Sequence, residues 1–566
     1  MKRKWWHNKV AYQIYPKSFF DSNGDGIGDI RGIISKLDYL KDLGIDILWL
    51  SPVYPSPLAD EGYDISDYYS IDPRFGTLAD MDELIAEAKK RGISILMDLV
   101  VNHCSDEHEW FRKACADPDG KYGHYFYIRE KTPDGTPPTN WRSYFGGSCW
   151  DELPGNPDRV YLHIFHKKQP DLNWENPEVR EEVYKNINWW LERGLGGFRI
   201  DAIINIKKPL TFKSYETDRG DGYSSIDNML ADAQGIGVFL SEMQEKTFSK
   251  YDAFSVGEVF NEKPEEIPLF IGEGGYFSSM FDFEENVFGA SRKGWYDRKP
   301  CLPEDYKQCV FRAQARVGNT GFLSNIIENH DEPRGVSRYI PKDELSDAGK
   351  KALAAAFFLL RGIPFIYQGQ EIGMENKTIR SFDELDDCGS ISEYKSALEA
   401  GLSVEETLKV LSAYSRDNAR TPMQWSAEKH AGFTEGTPWL AENENYRSIN
   451  VEKNLADPDS VWYFYRSLIR LRKDPALADT FVYGDLVPYL PETKNLMAYI
   501  RKGITPEGEN GEKTPDILVA VNMQTEEREM PMPGEGTLLL SNLSAPEKAV
   551  GSLILSPWQA AVYRLA

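Results

Sequence analysis

The sequence has little cysteine and no long apolar run. Its six cysteines in 566 residues lack the spacing of a zinc site and are too sparse for a disulfide scaffold, so we expect free thiols. The basic start Met1–Lys4 is not followed by the apolar run of a signal peptide, and no stretch approaches the ~18 apolar residues of a membrane helix. We therefore expect a cytoplasmic protein that binds no membrane.

The chain has fewer basic than acidic residues. The chain has 65 basic and 89 acidic residues, a net charge of −24, which argues against nucleic acid and anionic membranes as partners. A small neutral substrate remains open, and a monomer is the expected state. Since the chain is too long for one hydrophobic core, more than one domain is expected.

Short apolar runs alternate with amphipathic helical stretches, a pattern typical of strand–helix units and a parallel sheet. The predicted strands are Val10–Tyr15, Ile45–Leu50, Ile93–Leu99, Gly197–Asp201, Phe254–Glu258, Met280–Phe283, Leu323–Ile327 and Ile363–Tyr367. Helices are predicted over Leu78–Arg91 and over Pro177–Arg193, the latter with Asn176 as its cap. Eight such strands predict a (β/α)8 TIM barrel with its active site at the C-terminal strand ends.

Two insertions interrupt the barrel pattern. Residues 104–173, rich in Gly, Pro and aromatics, predict an insertion domain (domain B) after the third strand, and residues 375–455 follow the eighth. The catalytic barrel would then span residues 1–103 and 174–479, with Asp457–Arg472 as its last helix. From residue 480 the apolar period becomes two, which predicts a C-terminal antiparallel β domain to residue 566. Its predicted strands are Leu496–Arg501, Ile517–Asn522, Thr537–Leu540 and Leu553–Leu555.

Reactive side chains stand at the ends of several predicted strands, where a barrel enzyme binds its substrate. Asp201 and Glu258 end neighbouring strands, which lie about 4.8 Å apart in a sheet. The ~5–5.5 Å carboxyl separation of a retaining glycosidase is therefore feasible. Asp201 is predicted to be the nucleophile, kept ionised by Arg199, and Glu258 the acid and base with a raised pKa. Asp331 would bind sugar hydroxyls in the transition state.

Four short segments of this sequence resemble the four ordered regions of glycoside hydrolase family 13, the α-amylase family. The resemblance covers the whole chain. The matching strings are Asp98–His103, Gly197–Asp201, Gly257–Glu258 and Asn329–Asp331. Gln169–Asn173 resembles a further motif of its oligo-1,6-glucosidase and α-glucosidase branch. The resemblance implies the catalytic roles given above for the three carboxylates. It also implies that His103, Arg199 and His330 bind the glucose at the cleavage position.

Gly62–Tyr68 and Arg416–Trp425 are similar to strings of exo-acting family members. The matching positions imply that Tyr63 stacks on the terminal glucose, while Asp64 and Arg416 close the pocket. Exo action follows because a longer chain cannot thread past a closed end. Phe145 and Phe165 would form apolar walls, although an ordinary core role is the alternative for both.

Asp21–Asp29 spaces oxygen ligands as a calcium loop does. An EF-hand is excluded, because Gly32 stands where its twelfth-position glutamate belongs. Similar family members carry a divalent ion here, usually calcium, in a structural site. The predicted ligands are Asp21, Asn23, Asp25, the Ile27 carbonyl and Asp29. A turn rich in Asp and Gly is the alternative.

The resemblance implies a retaining, exo-acting α-glucosidase that releases glucose from the non-reducing ends of short α-1,6- and/or α-1,4-linked glucosides. Ala202 follows the nucleophile, where relatives that prefer α-1,6 bonds usually carry valine. The smaller side chain leaves more room beside the acceptor, so we expect a broad linkage range.

Three alternatives remain. Trehalose-6-phosphate hydrolases share most motifs; Glu328 and Glu332 would repel a phosphate, whereas Lys207 and Lys208 keep this alternative open. A sucrose isomerase is less favoured, because Trp295–Lys299 only weakly resembles the arginine-rich acceptor loop. A binding protein without catalysis is disfavoured, since such relatives typically lack the catalytic carboxylates or carry a membrane segment.

Overall fold

A computed structural model describes residues 2–259, 263–282, 293–505 and 512–566. Eight parallel strands pair in chain order and close into a barrel, which confirms the predicted fold class. The strands are β1 (Ala11–Ile14), β2 (Ile47–Leu50), β3 (Ser94–Val100), β4 (Gly197–Asp201), β5 (Phe254–Val259), β6 (Ser279–Asp282), β7 (Leu323–Asn325) and β8 (Ile363–Tyr367). The predicted end of the sixth strand, Phe283, lies outside the described residues.

The barrel strands have near-continuous apolar sequences because both of their faces are covered. β2, for example, reads Ile-Leu-Trp-Leu and is buried throughout. β3, β4 and β5 depart from this pattern with Asp98, Arg199 and Glu258, which are buried as well. Since a buried charge is costly without a partner, these positions indicate a site within the barrel mouth.

Helices surround the barrel, and local caps define where several begin. Leu78–Lys90 opens with a capping box between Thr77 and Asp80. Asn176 caps Pro177–Glu192, as predicted. The other α-helices are Ile30–Ser35, Leu37–Leu43, Glu109–Ala116, Ile226–Asp232, Gly237–Lys246, Phe248–Tyr251, Ile267–Ile271, Pro303–Val317, Gly335–Tyr339, Asp347–Phe358, Cys388–Glu399, Val404–Tyr414, Asp417–Arg420, Val451–Ala456, Val461–Lys473 and Ala478–Tyr483. Of the described helices, none is long and apolar enough to cross a bilayer.

The insertion between β3 and β4 contains a three-stranded antiparallel sheet. Its strands are Ile128–Glu130, Trp150–Leu153 and Asn156–Leu162. Buried aromatic side chains, among them Trp141 and Trp150, form a small core here together with Ile226 and Met229 from outside the insertion. The predicted insertion domain is thereby confirmed, while its limits at residues 104 and 173 stay predictions.

A six-stranded antiparallel sheet and a two-stranded one follow the barrel, which confirms the predicted C-terminal β domain. The six strands lie in the order Leu486–Pro488, Leu496–Arg501, Ile517–Asn522, Ala560–Leu565, Gly536–Ser541, Lys548–Ala549, and the pair is Arg528–Pro531 with Ser552–Leu555. The prediction that Asp457–Arg472 is the last helix was wrong. That helix spans Val461–Lys473, and Ala478–Tyr483 follows it. Six residues are too few to give a periodic apolar signal.

Candidate active site

Asp201 and Glu258 lie side by side at the C-terminal ends of β4 and β5. The two strands are parallel, and Ile200 pairs with Gly257, one residue before the two carboxylates. Arg199 Nη1 donates to Asp201 Oδ1 at 2.7 Å, and its Nη2 lies 2.5 Å from Glu258 Oε1. Because both carboxylates contact one guanidinium, the arrangement suits the ~5–5.5 Å separation of a retaining pair.

Arg199 has a third carboxylate partner, Asp98 on β3, at 2.8 Å. The other oxygen of Asp98 accepts hydrogen bonds from Trp49 Nε1 at 2.9 Å and Tyr63 OH at 3.0 Å. Neither Asp98 nor Arg199 is accessible to solvent. Asp98 therefore orients the guanidinium and its two catalytic partners, a role that sequence reasoning missed although Asp98 opens one of the family strings.

The buried carboxyl pair favours one bound proton. Burial raises the pKa of Glu258, and the opposing effects of Arg199 and the Ala202 amide do not cancel it. Burial also raises the pKa of Asp201, with a further rise from the Glu258 charge, against the effect of Arg199. Neighbouring carboxyls in such a site titrate as a pair and resist double ionisation. One acid and one carboxylate can therefore coexist here near neutral pH.

The residue after Asp201 has an unusual backbone. Ala202 adopts φ 42° and ψ 34°, the left-handed region, which costs a non-glycine residue of order 1–3 kcal/mol. In this conformation the Ala202 amide donates to Glu258 Oε2 at 2.7 Å. The turn thus links the two catalytic residues through the main chain, a contact that no side-chain pattern could reveal.

His330 and Tyr63 form a stacked pair beside Asp331. Their ring centroids are 5.4 Å apart with planes inclined by 14°. Gln13 donates to His330 Nδ1 at 2.8 Å, so Nε2 carries the proton and faces Asp331 Oδ2 at 3.0 Å. Burial lowers the pKa of His330 to about 3, which keeps the ring neutral. Burial alone would raise the pKa of Asp331, but the Nε2–H of His330 and the charges of Arg416 and Arg420 reverse this effect and lower it.

Arg416 joins three carboxylates at the site. It contacts Asp331 at 3.0 Å, Asp387 at 2.5 Å and Asp60 at 3.4 Å. Arg420 adds a second contact to Asp331 at 3.1 Å. Asp60 and Asp387 are buried, and Asp387 has no solvent-accessible side-chain area. This network forms a polar wall that offers both donors and acceptors to sugar hydroxyls.

The structure does not bring Asp64 to this wall, contrary to the prediction. The Asp64 carboxylate is fully buried within its own loop and accepts from Ser56 Oγ at 2.8 Å and the Ala59 amide at 2.9 Å. Asp60, four residues earlier, is the carboxylate that contacts Arg416. The tight turn reverses the chain between them, which strand-end reasoning could not resolve. Of the two, only Asp60 belongs to the network around Arg416.

His103, Phe165 and Phe145 line the insertion-domain side of the site. The His103 ring is buried, and its centroid lies 5.1 Å from that of Phe165. Burial lowers the pKa of His103 to about 3, so this ring is neutral too. Phe145 is half-buried, 6.2 Å from Phe165, and the Arg416 guanidinium lies 5.5 Å from its centroid. Phe145 thus packs beside Arg416 and Phe165 beside His103, and their role as apolar walls stays a prediction.

The Asp21–Asp29 loop lies after β1. The side chains of Asp21, Asn23 and Asp25 accept hydrogen bonds from amides two to five residues further along this loop. Asp29 caps the next helix by accepting from the Gly32 amide at 2.6 Å. Carboxylate and amide side-chain oxygens such as these are also the ligands that calcium prefers. Within the described ranges, however, no three His, Cys, Asp or Glu side chains are grouped closely enough to hold an ion.

The two lysines that favoured a phosphate substrate are already paired. Lys208 is fully buried and lies 2.7 Å from Asp171 Oδ2. Lys207 pairs with Glu175. A phosphate would have to compete with these carboxylates, so neither lysine supports a phosphate site.

The two glutamates that bracket Asn329–Asp331 are paired as well. Glu328 is buried against Arg334 at 3.1 Å, and Glu332 pairs with Arg338. Their charges are compensated, so the predicted repulsion of a phosphate by these glutamates is weak.

Comparison with known proteins identifies the family. Residues 13–480 match the family model described as α-amylase, catalytic domain. The chain is 42% identical to an oligo-1,6-glucosidase of Bacillus cereus, with 100% of both chains covered, and 41% identical to a glucan 1,6-α-glucosidase of Streptococcus pneumoniae, with 99% of both covered. Two solved structures are similar as well. Trehalose-6-phosphate hydrolase of Bacillus licheniformis has a TM-score of 0.90 and 39% identity, with 100% of each chain covered. Isomaltulose synthase of Protaminobacter rubrum has a TM-score of 0.92 and 36% identity, with 100% of each chain covered. The chain thus belongs to the α-amylase family and is a glycoside hydrolase.

Proposed function

We propose that the enzyme is a retaining, exo-acting α-glucosidase that releases glucose from the non-reducing ends of short α-1,6- and/or α-1,4-linked glucosides. The observation that carries this proposal is the wall around Arg416, which joins Asp331, Asp387 and Asp60 at one end of the site. A closed end admits one terminal sugar and excludes a chain that continues in both directions. The names of the oligo-1,6-glucosidase and glucan 1,6-α-glucosidase relatives support the same substrate class.

Catalysis would follow two displacements at the anomeric carbon. Asp201 attacks while Glu258 protonates the departing glycosidic oxygen, which gives a glucosyl-enzyme ester. Glu258 then removes a proton from water, which attacks the ester and frees Asp201. Arg199 holds both side chains in place through the first step. Asp331 accepts hydrogen bonds from sugar hydroxyls that strengthen as the oxocarbenium ion forms.

The bound glucose would lie between the insertion domain and the Tyr63–His330 stack. His103 and His330 are both neutral, so they border the bound sugar without introducing charge. The rings of Phe145 and Phe165 shield the reacting carbon from bulk water. Such shielding strengthens the electrostatic contacts around the developing cation.

Product analysis tests the substrate class. Wild-type enzyme should release glucose from isomaltose and from maltose, with rates that differ by less than about a thousandfold (~4 kcal/mol). The small Ala202 side chain beside the acceptor is the reason for this breadth. A larger preference for isomaltose would refute the broad range, and faster hydrolysis of trehalose-6-phosphate than of isomaltose would refute the assignment.

Asp201→Asn tests the nucleophile. The amide cannot form the ester, so turnover should fall by about 10⁴-fold or more with an unchanged circular dichroism spectrum. Asp119→Asn is the matched control, because the Asp119 side chain is exposed. Near-normal rates in Asp201→Asn would refute the role of Asp201.

We propose in addition that the Asp21–Asp29 loop binds a divalent cation, with calcium as the first candidate. The support is the chemistry of its donors, namely Asp21, Asn23, Asp25, the Ile27 carbonyl and Asp29. Binding would require these side chains to turn from the hydrogen bonds described above. Added calcium should raise Tm, a chelator should lower it, and Asp25→Ala should remove both effects. Metal-loaded, washed protein without a bound ion would contradict the proposal.

A reducing, cytoplasmic location and a monomeric state complete the proposal. None of the six cysteines, all of which lie in the described residues, is joined to another by a disulfide, which suits a compartment that keeps thiols reduced. Light scattering coupled to gel filtration gives the mass to compare with the 64.5 kDa of one chain.

A further inference from the structure

Tyr144, on the insertion-domain rim, is a large aromatic residue with 42% of its area exposed. Its ring stacks on Phe165, with centroids 4.8 Å apart and planes inclined by 23°. One face of the ring is therefore covered, and the side chain keeps open area next to a sugar-binding site. Single exposed aromatics need no explanation by themselves, but this one is held in place.

Both ends of Tyr144 are fixed. Its amide donates to the Ile164 carbonyl at 2.9 Å, and its hydroxyl donates to Asn205 Oδ1 at 3.2 Å. Asn205 is buried and follows the nucleophile Asp201 by four residues. The ring thus loses little conformational freedom when a ligand covers its open face, which favours binding.

Tyr144 and Phe145 serve different sides of the site. Phe145 contacts Arg416, at the closed end that would hold the terminal glucose. The Tyr144 hydroxyl instead donates to Asn205, which lies in the loop that follows β4 and the nucleophile Asp201. Burial, and then the charge of Asp227, raise the pKa of this hydroxyl. A ring anchored to the loop after the nucleophile, and outside the wall around Arg416, is suitably placed to face the sugar that leaves.

We propose that Tyr144 is the stacking platform for the acceptor sugar, a neutral hexopyranose, and so a specificity-determining residue. This inference rests on the proposed α-glucosidase function. The open face of the ring would cover the apolar face of the leaving sugar, as aromatic rings do in amphipathic recognition. The same contact would hold an incoming sugar during transglucosylation.

The test compares two substrates that differ in the acceptor. Isomaltose places a glucose on the proposed platform, whereas α-glucosyl fluoride has no acceptor sugar. Tyr144→Ala should lower kcat/KM for isomaltose about tenfold and leave kcat/KM for α-glucosyl fluoride within about twofold of wild type. Tyr144→Phe, which keeps the ring, should stay within about threefold of wild type on both substrates. The ratio of transfer to hydrolysis at high isomaltose should fall in Tyr144→Ala.

Tyr69→Ala is the matched control, since Tyr69 is 38% exposed and packs on Trp189 outside the site. Equal losses on both substrates in Tyr144→Ala would overturn the proposal in favour of general positioning. No loss on isomaltose would overturn it too. Wild-type enzyme that cleaves α-glucosyl fluoride but neither isomaltose nor maltose would instead refute the proposed function, whatever the variants do.

Discussion

The loop after β2 carries two buried carboxylates with different surroundings. Asp60 contacts Arg416 at the closed end, whereas Asp64 accepts hydrogen bonds within its own loop.

Asp60→Asn should lower kcat/KM for isomaltose by about 10- to 100-fold, because an acceptor for sugar hydroxyls and a partner of Arg416 are lost. Asp64→Asn should lower the free energy of unfolding by about 1–2 kcal/mol, because the amide nitrogen cannot accept from donors. Steady-state kinetics and urea unfolding of both variants check this. If Asp64→Asn lost activity and Asp60→Asn lost only stability, Asp64 and not Asp60 would be the site residue.

Glu371 is a buried carboxyl whose protonation links stability to pH. It accepts from Tyr12 OH at 2.9 Å and Tyr39 OH at 2.7 Å. Burial raises its pKa to about 7, above the ordinary value of 4.5. Between these pH values the folded state binds more protons than the unfolded state, so the free energy of unfolding decreases as pH rises through this window.

Glu371→Gln should remove this pH dependence. The amide oxygen still accepts from both tyrosines, and nothing ionises. The variant should be more stable than wild type at pH 8 by about 2–3 kcal/mol and nearly equal to it at pH 5. Urea unfolding at both pH values measures the difference. An equal change at pH 5 and pH 8 would show that packing, not ionisation, dominates.

Single residues were predictable where a strand end places them. Asp201 and Glu258 could be identified because the strands before them are readable as apolar runs. Asp60 could not be distinguished from Asp64, since a tight turn decides which carboxylate faces inward. The left-handed backbone of Ala202 could not be predicted either, because alanine rarely adopts a positive φ and nothing in its residue type indicates one.

β4 approaches β5 so closely at Gly197 that any side chain would collide. Gly197 has φ 151°, and a Cβ built there would lie 1.8 Å from the Phe254 carbonyl oxygen. Gly197→Ala should therefore push β4 from β5 and displace Asp201 from Glu258. We expect a loss of more than about 2 kcal/mol in unfolding free energy and a fall in kcat of more than about tenfold.

Gly534→Ala is the matched control for this substitution, because a Cβ there meets no atom within 4 Å. Calorimetry and steady-state kinetics of both variants check the prediction. Normal activity in Gly197→Ala would mean that the strands can separate without moving the carboxylates.

Helices and strands could be predicted from the sequence where they are long enough and clearly more apolar than the residues that flank them. All eight barrel strands were found, because a strand buried on both faces is a continuous apolar run. The central strand Ala560–Leu565 of the C-terminal sheet was missed, since it opens with two small alanines. The short helix Ala478–Tyr483 was missed because its length gives no period.

At the scale of the whole molecule, the barrel and the C-terminal sheet share one helix. Asp347–Phe358 is buried from Gly349 to Phe358, without the polar face of a surface helix. The sheet covers part of it: Tyr499 OH donates to the Ala356 carbonyl at 3.4 Å. Arg501 caps the helix end by donating to the Leu359 carbonyl at 2.8 Å. These contacts across the predicted boundary at residue 480 indicate that the barrel and the sheet are not separate folding units.

The two parts should unfold as one cooperative unit. A protein truncated to residues 1–484 would expose the apolar face of Asp347–Phe358 to water, and we expect it to aggregate or to lack a melting transition. Calorimetry of the full chain should give one endotherm for barrel and sheet, with a van't Hoff enthalpy equal to the calorimetric one. Two separated transitions, or a truncated protein that is folded and active, would contradict this. The sheet then stabilises the site indirectly, because Asp347–Phe358 leads directly into β8 and the barrel on which the catalytic strands depend.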